Sequence, residues 1–185
     1  MPKVTAICGS FRAGSYNQML LNTLVERAPE GLEIVQADIR AFPVFNQDDE
    51  SNQPQAVLDA KAVIQDSDCV LLVTPEYNFG VPGGLKNAID WLSRPHGDAT
   101  LNGRPLALAG ASSGYMGTMR CQLQLRQSWH FFKAPVFAGA ELTVAFADRA
   151  FDAERRLTNE GYIGMIDTYL AALKSWLDRK CASVV

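Results

Sequence analysis

The sequence predicts an α/β fold with three layers, in which a doubly wound sheet of five parallel strands lies between two layers of helices. Five apolar runs of strand length alternate with five segments of helical periodicity along the 185 residues. Such alternation is typical of parallel sheets with right-handed crossovers. Three of the runs are continuously apolar, which indicates strands that are covered on both faces.

The predicted elements follow one another as strand and helix, five times. The strands are predicted over residues 3–8, 32–37, 69–74, 105–110 and 135–139, and the helices over 17–28, 55–67, 85–93, 117–132 and 159–180. For five strands in this alternation, the flavodoxin-like order 2-1-3-4-5 is expected. The polar residues 46–54 predict an exposed loop or lid. We expect residues 1–185 to form one domain.

The amino-acid composition and net charge argue against nucleic acid and membranes as binding partners. The hydrophobic fraction of 48% and charged fraction of 20% are ordinary for a soluble globular protein. A net charge of -3 without a basic block argues against nucleic-acid binding. No apolar run is long enough to span a membrane, and the first one is too short for a signal peptide, so we expect a cytoplasmic protein with no membrane partner.

The sequence gives little support for a metal site or for a catalytic nucleophile. The carboxylates lack metal-site spacing, so no metal site is predicted. The histidines, His96 and His130, lie outside the loops that follow strands. No pair has Cys-x-x-Cys spacing, which predicts packed thiols rather than a redox or zinc centre. The cysteines are Cys8, Cys69, Cys121 and Cys181.

The first loop, residues 9–17, has the parts of a phosphate site. In doubly wound sheets, ligands bind at the carboxyl ends of strands, close to where the strand order reverses. A helix N-terminus there offers unpaired N–H groups. Ser10, Ser15 and Asn17 add side-chain donors, and Arg12 can make charge-assisted bonds. The alternative is that Ser15 or Asn17 only caps the helix and that Arg12 faces water.

The second loop, residues 74–84, contains two prolines and three glycines. A stiff loop of this kind can present backbone groups to a planar heterocycle, with Tyr77 and Phe79 supplying aromatic surface. The alternative is a proline-rich turn whose aromatic side chains fill the core. The third loop, residues 111–117, is rich in small residues, which are also ordinary turn formers.

These loops together resemble the NADPH-dependent FMN reductase family, and within it the quinone and chromate reductase branch. The resemblance covers nearly the whole chain. It is carried by Gly9-Ser10-Phe11-Arg12 with Ser15 and Asn17, by Thr74-Pro75-Glu76-Tyr77-Asn78 with Pro82-Gly83, and by Leu85-Lys86-Asn87-Ala88-Ile89-Asp90-Trp91.

The resemblance implies FMN as cofactor and a specific set of binding residues. The phosphate would be held by Ser10, Arg12, Ser15, Tyr16 and Asn17; the ring and ribityl chain would be bordered by Pro75, Glu76, Tyr77 and Asn78; the other side of the ring would be closed by Ser112, Ser113 and Gly114. Phe79, Gly80 and Tyr115 would face the substrate. Many relatives carry serine at the position of Gly80, which leaves acceptor preference open.

The implied activity is hydride transfer from NADPH or NADH, through FMN, to quinones or similar acceptors such as flavin, chromate or azo compounds. The two substrates would use one pocket in turn, by a ping-pong mechanism, and no side chain need be catalytic because the flavin carries the chemistry. A flavodoxin-type electron carrier and a nonenzymatic FMN-binding module are the alternatives.

Assembly is also implied by the resemblance, which predicts a homodimer or homotetramer. Trp91 and the polar residues 46–54 are expected at the contact between subunits. Arg120 and Glu141 are expected to form a pair between subunits, with a surface salt bridge as the alternative.

Overall fold

A five-stranded parallel sheet organises the chain. The computed structural model describes residues 1–97, 99–139 and 141–182, with side chains described up to residue 180. The strand order is 2-1-3-4-5, as predicted. The strands are β1 (Lys3–Cys8), β2 (Glu33–Ala37), β3 (Cys69–Val73), β4 (Leu106–Ala111) and β5 (Leu142–Val144). β1 is central between β2 and β3, so that Val4 is paired with both Ile34 and Cys69.

Five of the helices lie where helical periodicity predicts them, with ends shifted by a few residues. The helices are α1 (Tyr16–Glu26), α2 (Gln55–Gln65), α3 (Gly83–Leu92), α4 (Met119–Trp129), the short α5 (Ala147–Ala150) and α6 (Glu160–Ala182). Helix α5 has four residues, too few to give a periodic signal. Within the described ranges, none of the helices has the length and apolar character needed to cross a bilayer.

The helices cover both faces of the sheet. On one face, α1 and α6 contribute Leu24 and Leu173 to the core. On the other face, α2, α3 and α4 contribute Ile64, Leu85 and Leu125. Every residue of β3 is buried. Burial on both faces explains why the inner strands read as continuous apolar runs rather than as alternating ones.

The fifth strand does not lie where the sequence predicts it. The predicted residues 135–139 form only an isolated bridge between Val136 and the first residue of β4, Leu106. The strand itself is β5, which pairs with the last three residues of β4. β5 contains only three residues, so its apolar signal is weaker than that of the preceding segment. Pro135 also lacks the N–H group that a longer ladder would need.

Trp91 is a core residue and not a subunit contact, so that prediction is wrong. Its side chain is fully buried. The indole Nε1 donates to the carbonyl oxygen of Pro43 at 2.9 Å, and the ring meets Phe45 edge-on at 5.1 Å between centroids. Residues 46–54 are largely exposed, as predicted, and include a short 3-10 helix at Gln47–Asp49.

Gly110 allows the end of the sheet to pack closely. It lies in β4, and a Cβ atom there would overlap the Thr118 Oγ1 atom and the carbonyl oxygen of Thr74. Gly164, near the start of α6, has open space around the same position. Substitution by alanine should therefore destabilise the fold at Gly110 and be tolerated at Gly164.

We predict that Gly110→Ala lowers the free energy of unfolding by about 1–3 kcal/mol, because the added methyl group overpacks the site. Gly164→Ala is the matched control and should raise it by about 0.4–1 kcal/mol, since alanine restricts the unfolded chain. Urea unfolding followed by circular dichroism measures both. Equal effects of the two substitutions would contradict the packing role of Gly110.

Candidate functional site

Three loops at the carboxyl ends of β1, β3 and β4 enclose one cavity of about 230 Å³, here called the loop cavity. It is lined by Ser10, Arg12, Ser15, Tyr16, Asn17, Pro75, Glu76, Tyr77, Ala111, Ser112 and Ser113. A wider outer cleft of about 610 Å³ adjoins it and is lined by Glu76, Asn78, Phe79, Ser112, Gly114, Tyr115, Met116, Gly117 and Arg120. Every residue predicted to bind the cofactor lines one of these two spaces.

Ser15 is the N-cap residue of helix α1 and lines the loop cavity. Its Oγ atom accepts hydrogen bonds from the backbone N–H groups of Asn17 and Gln18, each at 3.2 Å. The helix cap considered from the sequence is therefore present. Ser15 also lines the loop cavity, so capping and ligand binding are compatible. Beside it, the Tyr16 ring stacks on Phe151 at 6.0 Å between centroids.

The backbone of the first loop is rich in unpaired donors. Within the described part of the chain, the N–H groups of residues 10–16 have no hydrogen-bond acceptor. The Arg12 guanidinium folds over the same loop, where it donates to the carbonyl oxygen of Gly14 at 3.1 Å. Consecutive unpaired N–H groups at a helix N-terminus form a concave site for an anion.

Asn17 connects the first loop to the third. Its side chain is only 3% exposed. The Nδ2 atom donates to the carbonyl oxygen of Ala111 at 2.9 Å, and the Oδ1 atom accepts from the Ala111 N–H group at 2.8 Å. The amide predicted to contact a phosphate thus holds α1 against the end of β4. Positioning the cavity wall is its observed role.

The second loop contains a tight two-residue turn. Tyr77 and Gly80 exchange backbone hydrogen bonds at 3.2 and 2.9 Å. Between them, Asn78 and Phe79 both have left-handed backbone angles, with φ of 51° and 63°. Two such residues are typical of hairpin turns, where asparagine is favoured and phenylalanine is strained. The side chains of Tyr77 and Phe79 both point outward, and Phe79 is 66% exposed. These aromatic side chains therefore do not fill the core.

Helix α4 holds this turn from outside. The Gln124 Nε2 atom donates to the carbonyl oxygen of Phe79 at 3.0 Å, and its Oε1 atom accepts from the Val81 N–H group at 3.3 Å. Gly80 lies beside Gln124 and lines neither the loop cavity nor the outer cleft. Phe79 and Tyr115, in contrast, line the outer cleft, and their contact with substrate stays a prediction.

Glu76 links the second loop to the start of α4. Its carboxylate, whose side chain is 7% exposed, accepts from the Cys121 N–H group at 3.1 Å and pairs with Arg120 at 3.4 Å. The N-cap residue of α4 makes no side-chain cap, so this carboxylate takes over that role at the positive end of the helix dipole. Arg120 also lies 4.1 Å over the Phe79 ring. Within the chain, the partner of Arg120 is Glu76 and not Glu141.

The third loop completes the outer cleft. The Ser112 N–H group donates to the carbonyl oxygen of Val144 in β5, and its Oγ atom accepts from the Gly114 N–H group at 3.1 Å. Tyr115 is strongly exposed. The residues that sequence reasoning left out of the site are Ala111, Met116, Gly117 and Arg120. Ala111, Met116 and Gly117 belong to the third loop that the sequence indicated, whereas Arg120 was expected only at a subunit contact.

The thiols around the site are packed and protonated. Cys121 lies beneath the second loop, with Sγ 3.7 Å from the Thr74 hydroxyl, and burial raises its pKa to about 11. Burial also raises the pKa of Cys69. The side chain of Cys181 lies outside the described residues. Neither His96 nor His130 lines the loop cavity or the outer cleft.

Residues 2–149 match the protein family described as NADPH-dependent FMN reductase. The chain belongs to this family. The matched residues include all three loops of the site, so the family match and the cavity geometry concern the same part of the molecule.

Relatives within this family are similar over nearly their whole length. The chain is 40% identical over 178 residues to an NAD(P)H-dependent FMN reductase of Pseudomonas aeruginosa, covering 96% of each protein. It is 35% identical over 181 residues to a quinone reductase of Escherichia coli K12, again covering 96% of each. Among solved structures, it is similar to the flavoenzyme NAD(P)H:(acceptor) oxidoreductase FerB of Paracoccus denitrificans, with a TM-score of 0.88, 31% identity and coverage of 97% and 98%.

We predict that Asn17→Ala lowers the free energy of unfolding by about 2–4 kcal/mol, because it leaves both backbone groups of Ala111 without partners in a buried position. Asn22→Ala, on the exposed side of the same helix, is the matched control, and its effect should stay within about 0.5 kcal/mol. Thermal and denaturant unfolding measure both variants. A loss no larger than that of the control would contradict the connecting role of Asn17.

Proposed function

We propose that this chain is an FMN-dependent NAD(P)H oxidoreductase that reduces quinones, with the FMN phosphate in the loop cavity and both substrates using the outer cleft in turn. Family membership makes FMN the cofactor and NAD(P)H the reductant. The observation that carries the residue assignment is the cavity between three loops, lined by Ser10, Arg12, Ser15 and Tyr16 with backbone N–H groups that have no acceptor in the described part of the chain. When bound, FMN supplies the hydride-transfer chemistry between the reductant and the acceptor.

The first loop suits a terminal phosphate. The N–H groups of residues 10–16 point to no protein acceptor in the described part of the chain, and Ser10 and Ser15 add hydroxyl donors. Arg12, which lies over the loop, supplies positive charge and stronger charge-assisted bonds. Tyr16 and Asn17 would form the walls of the phosphate site. These groups bind and orient the phosphate without contributing to the chemical step.

The second and third loops suit the edge of a flavin ring. In the described residues, the N–H groups of Glu76, Asn78 and Ser113 also have no acceptor. Fixed donors of this kind stabilise negative charge that develops during a reaction, because they need not reorganise. The remaining border of the ring would be formed by Pro75, Tyr77, Ser112 and Gly114.

The outer cleft suits a flat acceptor. Phe79 and Tyr115 expose aromatic surface along it, against which a quinone ring can stack. Arg120, held over Phe79 and paired with Glu76, places a cation at the rim. The quinone reductase relative supports quinones as the acceptor class, and flavins, chromate and azo compounds are secondary candidates.

We infer that the chain assembles into a homodimer or homotetramer. Met119 and Leu123, one turn apart on α4, are exposed apolar residues, and Gln124 of the same helix binds the backbone of Phe79 in the outer cleft. An apolar surface of this kind next to a site is typical of a subunit contact.

We also infer that residues 1–185 act as one FMN-binding domain, supported by the single sheet with a core on each face. We infer as well that the enzyme works in the cytoplasm, where NAD(P)H is supplied.

We predict that Arg12→Ala weakens FMN binding by about 1–3 kcal/mol, which is roughly a 5- to 150-fold rise in Kd, because a charged hydrogen bond to phosphate is lost. Arg179→Ala, near the end of α6 and remote from the loops, is the control and should leave the Kd unchanged. Titration of the apoprotein with FMN, followed calorimetrically, measures both. An unchanged affinity in Arg12→Ala would remove this residue from the phosphate site.

We predict ping-pong steady-state kinetics, because reductant and acceptor share one cleft. Double-reciprocal plots against NADPH at several fixed quinone concentrations should be parallel, and stopped-flow mixing with NADPH alone should bleach the flavin band. Intersecting lines would contradict the shared cleft. Failure of both NADPH and NADH to bleach the flavin would instead favour an electron carrier or a nonenzymatic FMN-binding module.

A further inference from the structure

A second cavity, here called the β2 cavity, lies beside the loop cavity and plays no part in the function proposed above. Its volume is about 260 Å³, and it is lined by Cys8, Ser10, Gln18, Gln36, Ala37, Asp38, Ile39 and Arg40. It shares Ser10 with the loop cavity. Because β1 lies between β2 and β3, the β2 cavity extends from the phosphate site in the direction opposite to the outer cleft.

Two amide side chains form one wall of the β2 cavity. The Gln18 Nε2 atom donates to the Gln36 Oε1 atom at 3.0 Å. Across the described residues, the Gln18 Oε1 and Gln36 Nε2 atoms then have no partner. The pair therefore offers one acceptor and one donor, which complements the donors and acceptors on the edge of a purine.

A carboxylate just after β2 also lines the cavity: Asp38 lies two residues beyond Gln36. Asp38 accepts from the Arg40 backbone N–H group at 2.9 Å and from Arg40 Nη2 at 2.7 Å. These bonds hold the pKa of Asp38 below its usual range, so the carboxylate is charged. In doubly wound nucleotide-binding sheets, an acidic residue at this kind of position hydrogen-bonds a ribose diol. The positive charge of Arg40 balances the negative charge of Asp38, so this ion pair as a whole is neutral.

Two buried apolar residues and a thiol also line the cavity. Ala37 and Ile39 are buried, and burial raises the pKa of the Cys8 thiol, which stays neutral. A mainly polar lining without net positive charge suits a nucleoside better than another phosphate, since a phosphate would need unbalanced positive charge.

We propose that the β2 cavity is a nucleoside subsite, through which the chain binds FAD as well as FMN. This inference rests on the proposed function, because it places the FMN phosphate on the other side of Ser10. FAD is FMN whose phosphate is joined to AMP, so its adenosine would continue from the loop cavity into the β2 cavity. The ribose diol would bond to Asp38 and the adenine would face Gln18 and Gln36. The adenosine of NADPH is the weaker occupant, since it would have to pass across the bound phosphate from the outer cleft.

The test is calorimetric titration of the apoprotein with FMN and with FAD. We expect the unaltered protein to bind FAD with a Kd within roughly tenfold of that for FMN. Asp38→Ala should raise the FAD Kd by roughly 5- to 50-fold through loss of the ribose bonds, and leave the FMN Kd within twofold. Gln36→Trp, on the exposed edge strand, should fill the cavity and have the same selective effect. Asp59→Ala and Gln65→Trp, on α2, are the matched controls and should change neither Kd.

Three results would overturn the subsite. One is an FAD Kd more than about 100-fold above that for FMN in the unaltered protein. Another is an equal loss of FMN and FAD affinity in both cavity variants. The third is unchanged FAD binding in those variants together with a raised KM for NADPH, which would assign the cavity to the reductant. Absence of FMN binding in the unaltered protein would overturn the proposed function instead, so the two failures are distinguishable.

Discussion

The geometry of the site depends on the pair of hydrogen bonds between the Asn17 side chain and the backbone of Ala111. Loops at the ends of parallel strands are separate segments with few contacts of their own, and a cavity between them needs a rigid connection. Asn17 supplies it from within the first turn of α1, where its backbone is already fixed by the Ser15 cap. The unpaired N–H groups of the first loop are thereby held at a constant distance from the third loop.

Helix α4 stabilises the second loop in a comparable way. Glu76 binds the N-terminal turn of this helix, and Gln124, one turn further along, binds the backbone of Phe79. Burial of this carboxylate is tolerated there because a backbone N–H group and an arginine both bond to it. The donors around the cavity are thus fixed before a ligand arrives, which reduces the entropy lost on binding.

The sequence was sufficient for the strand order and for bringing the three loops together, because both follow from the alternation of elements and from the parallel sheet. It was insufficient where the decisive contact joins distant residues. β5 was misplaced since its three residues carry less apolar signal than the segment before it. The buried Trp91 donates a hydrogen bond to Pro43, which lies 48 positions away in the sequence. The partners in the Arg120–Glu76 ion pair are 44 positions apart. No local pattern encodes such pairings.

At the turn of Asn78 and Phe79, the contacts that fix the backbone do not involve the Phe79 side chain, which lines the outer cleft. The main chain of Phe79 is fixed by the Tyr77–Gly80 pair and by Gln124, while its side chain points away from the core. Its left-handed backbone makes phenylalanine a poor choice for stability, so exchange for a smaller or more polar residue would sacrifice little. If acceptors bind in the outer cleft as proposed, position 79 is the place where acceptor selectivity can change without changing the fold, which makes it a starting point for directed evolution.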